Sequence, residues 1–149
     1  MPTMNSKGRR IPDFDPSVLL RDPAAANITA TTNETGKTLN RLTTAYWDNS
    51  ELPLGSFGIA ANVHTMDRTT GDESYQLVAE VASDLAFTSP VQVGATPVLA
   101  APGYVEIHLD ADTIQDFTAG AFIRVRAVLG GTTPILGYGA WLFHADRNS

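Results

Sequence analysis

The chain has 149 residues, a formal net charge of −6, no cysteine and only 17% charged side chains, against about a quarter in an ordinary soluble domain. The absence of cysteine excludes disulfide frameworks and thiol chemistry, and an acidic chain without a basic block does not suit nucleic acid as a direct partner. No apolar run approaches the roughly 18 to 20 residues of a membrane span, and the start MPTMNSKGRRIPDFDP lacks the apolar stretch of a secretory leader, so the expectation is synthesis in the cytosol without a membrane partner.

Residues 1–27 read as an extended N-terminal arm. They hold Pro2, Pro12, Pro16 and Pro23, which disfavour helix and central strand, and the basic group Lys7, Arg9 and Arg10. The arm carries four Lys/Arg and three Asp; residues 28–149 carry six basic and thirteen acidic residues. A weakly basic arm thus leads into an acidic body. Phe14 is one of the arm's few apolar anchors, and Arg9, Arg10 and Phe14 are candidate partner contacts.

Residues 28–149 read as one β domain. Ile28 to Thr32 is a short β-like run, Thr32-Asn33-Glu34-Thr35-Gly36 a turn, and Lys37 to Thr44 a strand pairing back on it. Trp47 then lies in a loop closed by Pro53 and Gly55, either as a core or rim aromatic or as an interface anchor. Phe57 to Thr65 and Tyr75 to Ser83 alternate apolar and polar residues with a period of two, joined by the polar stretch MDRTTGDES, which predicts a long hairpin. Val91 to Val93 is a brief strand. Tyr104 to Leu109 alternates with Val105, Ile107 and Leu109 inward, and Asp110 to Phe117 is short and polar.

The most apolar stretch is Ala119 to His144. Ile123, Val125, Ala127 and Leu129 share one strand face, with Arg124, Arg126 and Val128 on the other. Gly130-Gly131-Thr132-Thr133-Pro134 predicts a tight hairpin. The returning strand is apolar on both faces, with Leu136, Tyr138, Ala140 and Leu142 opposite Gly137, Gly139, Trp141 and Phe143, so it is expected beneath a cover. The two glycines leave room for a ring or a backbone to approach closely. The paired Arg124 and Arg126 need carboxylate partners, for which Glu80 and Glu106 are candidates, or an acidic neighbour. Together with Tyr138 they form the expected subunit contact. No segment keeps a helical period over ten residues, and the count of about eight strands predicts an all-β antiparallel sandwich of jelly-roll type.

Chemistry-bearing groupings are few. Glu106, His108 and Asp110 share a strand face and have metal-ligand chemistry, with His64 or His144 as a further ligand, but they read more simply as a solvated face. Asp67, Asp72 and Glu73 lack the spacing of a calcium loop and read as a charged hairpin tip. No nucleophile elbow or phosphate-binding glycine loop is present, so the expectation is no enzyme, no cofactor and no bound metal.

The proline-containing arm, the run ITATTNETGKTLN, the Thr/Ala/Gly-rich β domain without cysteine and the ending AWLFH together resemble the jelly-roll cement proteins of tailed-bacteriophage capsids, the family of the Bordetella phage cement protein. The resemblance covers most of residues 28–144. It implies a structural virion protein on the capsid's outer surface that bridges neighbouring capsomers. Its partners would be the major capsid protein and other copies of itself, as dimer or trimer. The alternative expectation is a carbohydrate- or receptor-binding module of a phage tail or fibre, with Tyr46, Trp47 and Tyr104 as stacking residues.

Overall fold

Period-two alternation with small and β-branched residues produces strands and leaves helix without support. The computed structural model describes residues 19–38, 57–109 and 122–144. Among them are nine strands: β1 (Leu19–Arg21), β2 (Thr32–Asn33), β3 (Lys37–Thr38), β4 (Phe57–Met66), β5 (Ser74–Ala82), β6 (Val91–Ala95), β7 (Gly103–His108), β8 (Phe122–Gly130) and β9 (Leu136–His144). One sheet has the order β1-β9-β4-β7. The other has the order β2-β8-β5-β6, with β3 also on β8. Every pairing is antiparallel. No helix among the described residues is long and apolar enough to cross a membrane.

The fold is therefore all-β, two sheets facing each other across one core. Ile59, Ala61, Val63, Ile107, Leu136, Tyr138 and Leu142 enter it from the first sheet, and Tyr75, Leu77, Val81, Val93, Ile123 and Val125 from the second. On β4, β5, β7 and β8 these are the residues that alternation places inward; on β9, apolar on both faces, the packing decides. If β2 and β3 are counted as one interrupted strand, the chain pairs with itself about its middle: first strand with last (β1 with β9), second with second-last (β2/β3 with β8), and so on to β5 with β6.

Three expected pairings are corrected. β4 and β5 do not form a hairpin, and neither do β8 and β9; in each case the two strands lie in opposite sheets. Alternation fixes which side chains face inward but not which strand lies beside which. The connections 67–73 and 131–135 are long enough to cross the roughly 10 Å between packed sheets. Residues 32–36 are not a turn either. Thr32 and Asn33 pair with Ala127 and Arg126, and Lys37 pairs with Ile123, so the segment runs on along β8 with one extra residue near Gly36. At Gly36 the Phe87 ring leaves no room for a Cβ.

The arm boundary also moves. Leu19–Arg21, read as arm, is an edge strand on β9, with Leu19 opposite Trp141 and Arg21 opposite Ala140. Leu20 and Arg21 are buried. Residues 22–27 then cross the outer face of β9. A Cβ on Gly139 would lie 2.8 Å from Pro23, and one on Gly137 would lie 2.6 Å from His64. Asp22 turns the chain by accepting from the Ala24 N–H at 2.8 Å, and Ile28 and Leu136 exchange backbone bonds of 2.8 and 2.9 Å. This crossing is the cover that the two-faced apolar strand calls for.

A chain beginning at Leu19 and one beginning at Ile28 differ by this strand and its crossing. The shorter chain is expected to lose about 3 kcal/mol or more relative to the longer, since it removes a buried leucine and leaves Glu34 and Tyr138 without Arg21; urea midpoints of the two chains measure the difference.

Candidate functional site

The inward alternation of β9 puts a tyrosine, Tyr138, between Leu136 and Ala140 in the core. A buried tyrosine needs a partner for its hydroxyl. Here the hydroxyl donates to Glu34 Oε1 at 3.0 Å. The same oxygen accepts from Arg21 Nε at 2.9 Å. Arg21 Nη2 donates to the Ala26 carbonyl at 2.7 Å, Nη1 donates to the Tyr138 carbonyl, and the guanidinium lies 4.5 Å from the centre of the Tyr138 ring. The Arg21 side chain is 3% exposed and that of Glu34 16%. Four segments meet in this cluster: β1, the crossing 22–27, the stretch between β2 and β3 on the second sheet, and β9. Burial pushes the Tyr138 hydroxyl's pKa well above its ordinary 10.0, the Glu34 charge and the bond to Glu34 push it further, and Arg21 opposes them.

This places the residues expected to make a subunit contact. Tyr138 is fully buried and cannot be one; its hydroxyl belongs to the core cluster. Arg124 pairs internally: Nη2 lies 2.9 Å from Glu80 Oε1 and Nε donates to that oxygen at 3.0 Å. The guanidinium also stacks 4.2 Å from the centre of the Phe87 ring. Phe87 holds a φ of +52° to cover this pair, and its N–H donates to the Asp84 carbonyl at 3.0 Å. Arg126, two residues on, is exposed on the same outer face, with Val78 beside it. Only Arg126 of the three is available to a partner. Arg9, Arg10, Phe14, Tyr46 and Trp47 lie outside the described residues.

Glu106 and His108 share the outer face of β7, as alternation requires. Glu106 Oε2 is 3.9 Å from His108 Nε2, and Glu106 Oε1 accepts from the Tyr104 hydroxyl at 2.8 Å. Asp110 lies outside the described residues, as does the side chain of His144. His64 faces elsewhere, with its ring nitrogens on Thr65 at 2.9 Å and the Pro23 carbonyl at 3.0 Å. No group of three His, Cys, Asp or Glu side chains with metal-holding geometry occurs among the described residues. Tyr104 is 55% exposed, whereas Trp141 is only 8% exposed and offers no stacking face. Burial raises the pKa of the Tyr104 hydroxyl above 10.0, followed by the bond to Glu106 and its charge.

The loop carboxylates act as staples. Asp72 accepts from the Thr132 N–H at 3.1 Å and from the Thr132 hydroxyl at 2.8 Å, joining the connections 67–73 and 131–135. Glu73 accepts from the N–H groups of Thr70 and Gly71, and Asp67 from that of Thr69. Arg68 donates to the Ala100 carbonyl, and the Leu99 N–H to the Tyr75 carbonyl at 2.8 Å, which adds the connection 96–102 to the same end of the sandwich.

Sequence reasoning missed the Arg21–Glu34–Tyr138 cluster. One signal was available: Tyr138 at an inward position demands a polar partner nearby. Which partner was not readable, because Arg21 lies 117 residues and Glu34 104 residues from Tyr138 along the chain.

Glu34→Gln leaves the Arg21 guanidinium buried without a countercharge. The expected loss is about 2–4 kcal/mol, read as a lower urea midpoint at unchanged slope. Asp67, Asp72 and Glu73 have pKa values below the ordinary 3.8 and 4.5 because hydroxyls and N–H groups bond their charged forms. Their stabilisation is present above those values and is lost as pH falls below them, so Asp72→Asn is expected to flatten the acid limb of a thermal-stability profile. Tyr104 and Tyr138 have raised pKa values, so their contribution is complete below pH 10 and is lost as pH rises past it. An absorbance titration of the folded protein is expected to find both still neutral where free tyrosine has ionised.

No protein-family model matches the chain, no characterised protein is detectably similar to it, and no solved structure matches its fold at a significant level. The residues themselves therefore carry the functional reading.

Proposed function

We propose that the chain is a structural protein of a virion, a cement or decoration protein on the outer surface of a tailed-phage capsid. It binds the major capsid protein, bridges neighbouring capsomers together with other copies of itself, and acts by adhesion rather than catalysis. The observation that carries this reading is how the chain enters the sandwich. β1 is an edge strand fixed by a buried arginine, and eighteen residues precede it, among them Lys7, Arg9, Arg10 and Phe14. A bridging segment transmits load only if its root is held by the body it serves. A buried, fourfold-engaged guanidinium supplies such a root.

Other features support the reading. The self-pairing of the chain, first strand with last and inward to β5 with β6, is compatible with the winding of a jelly roll, an architecture common in viral shells. The three connections 67–73, 96–102 and 131–135 at one end of the sandwich are tied by hydrogen bonds, which favours a rigid body. Arg126 stands exposed on the outer face of the second sheet, next to a pair that is already neutral, and so is free to meet a carboxylate on a neighbour.

The test compares the full chain with a chain beginning at Leu19, by co-sedimentation with its assembled capsids. The shorter chain is expected to remain folded and to lose capsid binding. Equal binding by both chains contradicts the proposal. Arg126→Glu is expected to weaken binding at least about tenfold at low salt, with less effect at high salt.

A further inference from the structure

An exposed patch on the outer face of the four-stranded sheet is used neither by the core nor by the cluster that holds β1. Register places Tyr104 of β7 beside Asn62 of β4, and Asn62 beside Gly139 of β9. All three point outward, because Val63, Ile107 and Tyr138 point into the core. Tyr104 keeps more than half its surface open. Gly139 has no side chain, and Pro23 is laid directly over it, a Cβ there falling 2.8–3.1 Å from the proline. Asn62, between them, is exposed. The result is a shallow trough across three strands, bounded by an exposed tyrosine ring and a proline whose strands lie about 10 Å apart, with an exposed amide between them.

The trough is built rather than incidental. Its aromatic wall is fixed at both ends: the Tyr104 hydroxyl is tied to Glu106 at 2.8 Å, and its ring meets the buried Trp141 ring at a centroid distance of 6.5 Å and a tilt of 49°. Pro23 is held in place by the His64 ring bonded to its carbonyl. A ring so held loses little rotamer freedom when something packs on it.

The chemistry selects the occupant. The wall is an apolar ring face with a carboxylate at its edge, and the floor offers one amide donor and one acceptor. Glu106 repels phosphate, which disfavours a nucleic acid or a phospholipid headgroup. The amide floor disfavours a purely apolar ligand. A neutral pyranose meets each feature: its C–H face packs on an aromatic ring, and its hydroxyls both donate and accept. We propose that this trough is a saccharide-binding site, with a neutral sugar ring packed on Tyr104 and its hydroxyls bonded to Asn62 and Glu106. This proposal does not rest on the capsid reading, and a sugar-binding face is compatible with it.

The experiment is an NMR titration of the full chain with maltohexaose, cellohexaose and chitohexaose in turn, followed at the Asn62 side-chain amide. At least one oligosaccharide is expected to give a saturable shift there. Tyr104→Ala is expected to weaken that binding at least about tenfold, or about 1.4 kcal/mol, while Tyr104→Phe, which keeps the ring, stays within about threefold. Both substitutions fall on an exposed position, and Asn62→Ala, also at an exposed position, gives a second variant with the same expected direction as Tyr104→Ala. No shift at Asn62 with any of the three sugars, or wild-type affinity in Tyr104→Ala and Asn62→Ala, overturns the proposal.

Discussion

A guanidinium buried between two β-sheets is costly unless its charge is countered and its N–H groups are used. Arg21 meets both conditions, through the Glu34 carboxylate, the carbonyls of Ala26 and Tyr138, and the face of the Tyr138 ring. Each partner belongs to a different part of the fold. Ala26 is in the crossing that covers β9, Tyr138 is in the core of the first sheet, and Glu34 comes from the chain running along β8 in the second. One side chain therefore fixes the edge strand, the cover and the junction between the sheets. Without it, β1 is three residues of irregular pairing, too little to hold itself in place.

The rest of the sandwich follows from small residues and stapled ends. Ala60 and Gly58 on the outer side of β4 leave space that Trp141 and Phe143 of β9 occupy, and Gly137 and Gly139 let the crossing lie flat. On the other sheet, Phe87 and the Arg124–Glu80 pair cover the outer face of β5. Thr133, with a φ of +48°, closes the short passage from β8 to β9, and Thr132 beside it is pinned to Asp72. Strain at a β-branched residue persists only where its surroundings hold it.

Much of this was legible in the residues. The strands at 57–66, 74–82, 103–108 and 122–130 follow from alternation, as do their inward faces; the strand at 136–144 follows from a run apolar on both faces, which also calls for a cover but does not say which face turns inward. The pairings were not legible. Two adjacent alternating runs look alike whether they lie side by side or face each other across a core, and only long-range packing decides. The role of Leu19–Arg21 was hidden for a related reason: a short run among four prolines carries no periodicity of its own, and its partner lies some 120 residues away. Of the expected contact residues, Arg126 is placed on the surface, whereas Tyr138 turns into the core and Arg124, on the same outer face as Arg126, is taken up by Glu80 and Phe87, partners that only the fold brings near. The pairing of Arg124 with Glu80 was one of the two carboxylate choices open in the sequence.

Arg21 and Glu34 act as one unit that joins β1 to both sheets. A double-mutant cycle on Arg21→Met and Glu34→Leu measures this directly, by urea unfolding of the two single variants and the double. The account predicts strong non-additivity, with a coupling of about 1.5 kcal/mol or more and a double variant more stable than the sum of the single losses implies. Losses that add within about 0.5 kcal/mol would contradict it.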